Sequence, residues 1–137
     1  MATTYAILAD AVVIIHAAYV AFVVFGLAAI LIGAAMRWRW TRSPAFRITH
    51  LAAIALVCLE SIIGVMCPLT SLEDSIRARS GAAQYQGDFV AYWAHRMIFY
   101  NFPPWIFTTA YISFAILVAI TFIAFPPRRP SRARRSF

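Results

Sequence analysis

Lysine is absent from this 137-residue chain, and all twelve basic residues are arginine. Charge of either sign is scarce: charged residues make up 12% of the chain, against about 25% in soluble domains. Only two cysteines occur, and no C-x-x-C, H-x-x-x-H or H-E-x-x-H spacing, so the common metal-ligand patterns are missing. A Gly-rich phosphate loop and a G-x-S-x-G elbow are missing as well. With none of these constellations, the reading leans away from an enzyme.

What the chain does have is hydrocarbon. It is 63% hydrophobic, more than one small core can hide, because a domain of this size leaves much of its surface exposed. Lipid is the natural solvent for the excess, and the sequence reads as an integral membrane protein. A net charge of +7 is compatible with nucleic acid, but the arginines are distributed otherwise. Arg37, Arg39, Arg42 and Arg47 sit in one short loop, and Arg128, Arg129, Arg132, Arg134 and Arg135 form the tail. Basic clusters abutting apolar runs match the positive-inside rule and suit anionic lipid headgroups or a cytoplasmic partner. Nucleic acid is set aside on that pattern.

Three apolar runs are each long enough for the roughly 20 residues that a crossing needs. They predict spans at about 8–36, 47–67 and 104–125, in a single membrane domain over 1–127 with a basic tail at 128–137. The N-terminal run lacks the positive flank of a signal peptide and is expected to be retained. Both arginine clusters fall inside if the N-terminus is outside and the tail cytoplasmic. The intervening segment, about 70–102, is then outside. Within it, Thr70-Ser71-Leu72-Glu73 has the T-x-x-E form of a capping box, predicting a helix that stops by Gly81. The aromatic stretch "FVAYWAHRMIFYNF" (89–102) reads as an interfacial helix on the outer leaflet, with Trp38 and Trp40 anchoring the opposite face. The expected fold class is therefore an all-α membrane protein: three transmembrane helices plus short interfacial helices on the outer face.

Centring each span on its apolar run places His16 about 11 Å, and Glu60 about 4 Å, to the outer side of the midplane. His50 falls about 11 Å to the inner side, so some 22 Å separates the two histidines, too far for them to share a haem. Asp10, His16, Glu60, Ser61, Tyr111 and Ser113 share the outer half, and His95 and Arg96 are placed to fold over them. A bare carboxylate at such depth is costly, and intramembrane ionisable groups are functional candidates by default. The alternative is that His16 and Glu60 are interhelical glue, contributing about 0.6–2 kcal/mol. Cys58 and Cys67, placed on one helix, would lie about 13 Å apart, too far for a disulfide.

The stretches "LADAVVIIHAAYVAFVVFG" (8–26) and "HLAAIALVCLESIIGVMCPLTSLED" (50–74) resemble a family of small bacterial membrane proteins known as domain of unknown function 2784. The likeness rests on Asp10 and His16 in an L-A-D…H pattern, and on His50, Glu60, Gly64, Cys67, Pro68, Leu69, Thr70, Leu72 and Glu73 in H-L…E…G-x-x-C-P-L-T-x-L-E. It continues through Tyr85, Gly87 and Phe89, and departs from the family pattern at Gln84 and in "AYWAHRMIFYNFPPW". The resemblance implies a multi-pass protein of the bacterial inner membrane and no particular activity.

Three functions fit these residues. The first is an accessory subunit or assembly factor of a larger membrane complex of respiratory or photosynthetic type, contacting lipids and other integral membrane subunits. The second is a ligand or redox-cofactor module that holds quinone, haem or (bacterio)chlorophyll with His16 and Glu60, and at the outside His95. The third is a proton-linked transporter that depends on Glu60. The first fits best, because three spans make a thin core and the many aromatic residues offer much lateral contact surface.

Overall fold

The computed structural model describes residues 2–81, 89–98 and 101–128. These form five α-helices and, among the described residues, no strand: α1 (Ala2–Ala35), α2 (Pro44–Ile63), α3 (Pro68–Ser80), α4 (Phe89–Ile98) and α5 (Pro104–Ala124). Three of them, α1, α2 and α5, are long and apolar enough to cross a membrane. In α1 and α5 the apolar residues cover every face instead of one stripe, as lipid on all sides requires.

The helix ends follow local chemistry. Arg37, at φ 57, ends α1 in the left-handed conformation, and the Trp38 N–H returns to the Gly33 carbonyl at 2.8 Å. The Ser43 hydroxyl accepts the Phe46 N–H at 3.2 Å, and Pro44 occupies the first turn, so α2 starts sharply. Gly64, at φ 74, ends α2, and the Val65 N–H bonds the Glu60 carbonyl at 3.0 Å. The second span therefore stops at Ile63, four residues short of the expected end.

The α2–α5 pair is antiparallel and tied at both ends. At one end the Ser61 hydroxyl donates to Thr108 Oγ1 at 2.8 Å. At the other, the Arg47 guanidinium donates to the Thr121 carbonyl and, at 3.2 Å, to the Phe125 carbonyl, satisfying the C-terminus of α5. Arg47 is 2% exposed, which removes it from the basic face to which its charge assigned it. Val23, Leu27, Ile54 and Val118 form the apolar cluster where α1, α2 and α5 meet. Just beside it the fully buried His50 holds the Val23 carbonyl through Nε2 at 2.7 Å, and Gly26 makes room for the ring. His50 thus meets α1 only seven residues after His16, a drop of about 10 Å instead of the expected 22 Å.

At 34 residues, α1 is about 51 Å long and outruns a hydrocarbon core of about 30 Å. Its N-terminal part is covered by α3, which buries Ala9 and Val12. Arg77 reaches Asp10 at 3.6 Å while Thr70 shares a wall with His16, so α3 runs antiparallel along α1. The expected helix is present, but its start is not a capping box. Cys67 is the N-cap, Pro68 occupies the first turn, and Thr70 lies inside the helix, buried. Glu73, also fully buried, accepts from Arg77 Nε at 2.7 Å instead of reaching back to the helix start.

Candidate functional site

Between α1, α2 and α5, beneath the start of α3 and of α4, lies a partly open cavity of about 250 Å³. On α1, His16, Tyr19 and Val23 recur at helical spacing and so present one face to it. Ile54, Val57, Glu60 and Ser61 do the same from α2, and Ala110, Tyr111 and Phe114 from α5. The wall is mostly apolar and aromatic, with a few converging polar groups, the usual composition of a small-molecule site.

The roof is made where the chain turns from α2 into α3. Cys67, the N-cap of α3, lines the cavity together with Glu60, and its side chain makes no capping hydrogen bond. Burial pushes the Cys67 thiol above its ordinary range, the Leu69 N–H pulls it back, and the nearby Glu60 carboxyl raises it again. The Ser71 N–H bonds the Cys67 carbonyl at 3.0 Å. The buried Thr70 hydroxyl, also in the wall, has no hydrogen-bond partner among the described residues. The His16 ring, 5% exposed, lies flat against Phe89, centroid to centroid 4.0 Å and 20° from parallel. The Tyr19 hydroxyl donates to the Ala53 carbonyl at 2.7 Å, bracing α1 on α2 beside the cavity.

Of the seven residues expected to form a polar cluster, the cavity gathers His16, Glu60, Ser61 and Tyr111. Asp10 is exposed and engages Arg77 on the outside of the helix pair. Ser113 is exposed and outside the wall. Arg96 is exposed with its guanidinium 6.0 Å from the Trp93 ring centre, and His95 is exposed too, so neither folds over His16. Phe89, from the same aromatic segment, takes that place. Of the arginines expected at the basic face, Arg37, Arg39 and Arg128 are exposed and Arg42 is half-buried. Arg129, Arg132, Arg134 and Arg135 lie outside the described residues, as do Tyr85 and Gly87.

Among the wall residues, Tyr19, Cys67, Thr70 and Phe89 were missed as site residues. For Tyr19 and Thr70 a signal existed. Tyr19 follows His16 by three positions and Thr70 follows Cys67 by three, which puts each pair on one helix face. Phe89 carried no such mark, since its place depends on how the chain returns after α3. Among the described residues no cluster of three His, Cys, Asp or Glu side chains is arranged to hold a metal ion.

The chain belongs to the family described as Protein of Unknown function (DUF2784), whose pattern it matches over residues 6–127. No curated protein and no solved structure matches it significantly.

Proposed function

We propose that this protein is a membrane-embedded binding module, holding a lipid-soluble small molecule in the cavity at the α3 end of the bundle. The observation that carries this reading is the cavity itself: an apolar pocket into which α1, α2 and α5 and the roof of α3 and α4 direct His16, Glu60, Cys67, Thr70 and Tyr111. Structural glue alone would leave no such space, because helix interfaces close on one another at interior packing density.

The volume, about 250 Å³, lies just below the range of about 300–1,000 Å³ for sites that enclose a drug-sized ligand. The pocket therefore takes a head or a single ring, with any tail leaving into the bilayer. A tetrapyrrole is too broad for it, which counts against haem and chlorophyll. A continuous proton route is disfavoured as well, since Val23, Leu27, Ile54 and Val118 fill the bundle below the cavity. The expectation of an accessory subunit is retained in a narrower form, as a subunit that carries a ligand. The arginine distribution supports the 36–47 turn and the tail facing the cytoplasm, with α3 and α4 on the other side.

Protein purified in mild detergent should carry a co-extracting small molecule, seen by mass spectrometry of the organic extract. Val57→Trp, which fills the cavity from α2, should lose it. An identical extract from both forms would overturn the reading.

A further inference from the structure

The charge on the cavity wall goes further than its shape. Glu60 is in the wall, and none of the described arginines is. The two ion pairs among the described residues both belong to Arg77, with Asp10 and Glu73 on the outer flank of α1 and α3. Arg47 is spent on the carbonyls of α5 at the other end of the bundle. Cys67, whose thiol is at most a weak donor, lies near the Glu60 carboxyl in the same wall. An ionised carboxylate accepts several hydrogen bonds, and in an apolar site it favours a positive charge strongly. Tyr19, Phe89, Tyr111 and Phe114 line the same cavity, and aromatic rings attract cations, alkylammonium groups above all.

Other ligand classes suit this wall less well. An anionic head would meet Glu60 with no arginine to offset it. A quinone offers two carbonyl acceptors, whereas the strongest field in the pocket comes from an acceptor. Resting on the reading of the cavity as a ligand site, we propose that Glu60 and its aromatic surround make it a receptor for an amphiphilic organic cation of the alkylammonium class. The ammonium head sits against Glu60 and the alkyl chain leaves through the open side of the cavity. Proton and ligand then compete for one carboxylate, so acid weakens binding. The titratable groups that share the cavity with Glu60 are His16 and Tyr19 from α1, Cys67 at the start of α3 and Tyr111 from α5, while α4 brings only Phe89 and Val90.

The test uses the full chain in nanodiscs of zwitterionic phosphatidylcholine. Equilibrium binding is measured for an alkyltrimethylammonium and for its neutral isostere, in which carbon replaces the quaternary nitrogen. Wild type should prefer the ammonium by about tenfold or more, as a desolvated cation–π and charge contact implies, and the preference should shrink as pH falls. Glu60→Gln should lose most of that preference, keeping only what the aromatic rings supply, with binding of the neutral probe kept as evidence of folding. Equal binding of the two probes by wild type, or a preference undiminished in Glu60→Gln, overturns the proposal and leaves the cavity reading standing. A pH dependence that persists in Glu60→Gln but vanishes in His16→Gln also overturns it, by moving the charge to the imidazole. Failure of wild type to bind either probe, or binding by Val57→Trp as tight as wild type, sinks the cavity reading with it.

Discussion

The two ends of this bundle use polar residues in opposite ways. At the end with the 36–47 turn, buried side chains reach backbone acceptors across the bundle, although Arg42 Nε, Arg47 Nε and His50 Nδ1 have no hydrogen-bond partner among the described residues. Arg47 reaches two carbonyls of α5, His50 one of α1, and Thr41 the Trp38 carbonyl at 3.0 Å. The Arg128 N–H bonds the Arg42 carbonyl at 2.9 Å, tying the chain beyond α5 to the turn. Space there is used up: a Cβ on Gly26 would stand 2.4 Å from the His50 ring, and one on Gly33 2.4 Å from the Thr41 hydroxyl. At the other end the helices part around a cavity that Glu60 and aromatic rings line, and the buried Thr70 hydroxyl has no partner among the described residues. The proposed ligand role would account for this difference, since function commonly draws on stability.

The largest effect should come from the ion pair inside α3 that satisfies its buried carboxylate. Arg77→Ala leaves Glu73 fully buried without its partner, a situation that costs about 3–5 kcal/mol. Unfolding in an SDS titration should show that loss, while Asp10→Asn, which removes only an exposed contact, should cost less than about 1 kcal/mol. Equal effects of the two would mean that the buried Glu73 does not depend on Arg77.

A smaller effect is expected at the closed end. Gly26→Ala should lower stability by about 1–3 kcal/mol through overpacking, in spite of alanine's better helix propensity. The added methyl drives the His50 ring off the Val23 carbonyl. A neutral or stabilising outcome would show that this end is looser than described.

The smallest effect has the opposite sign, which makes it the sharpest test of the contrast. Thr70→Val removes an unpartnered buried hydroxyl and keeps the shape, so the ligand-free protein should gain about 1 kcal/mol, read as a higher Tm. A loss on that substitution would mean that Thr70 already serves the fold, and the two ends would then be alike.

The three spans were legible from hydropathy alone, because lipid imposes length and apolarity on any helix that crosses it. His16, Glu60, Ser61 and Tyr111 were legible from depth. Depth is one coordinate, however, and the cavity needs three. Asp10 and Ser113 share the depth but point elsewhere, and Phe89 is delivered by a chain path that no local pattern encodes. The role of Arg47 was hidden by charge counting, which assigns an arginine beside a span to the headgroups before asking whether a helix C-terminus needs it. The T-x-x-E pattern misled for a related reason. A capping box and a helix interior share that spacing, and Cys67-Pro68 made the start three residues earlier.

Photolabelling gives the most direct test of the central claim that the cavity is a ligand site. A diazirine-bearing alkyltrimethylammonium, irradiated with the full chain in nanodiscs, should place its adducts on peptides carrying His16–Val24, Ile54–Ser61 and Ala110–Phe114. Excess unlabelled compound should remove them. Adducts spread over the exposed flanks at Phe25, Leu31 and Ile123, unchanged by competitor, would contradict the account.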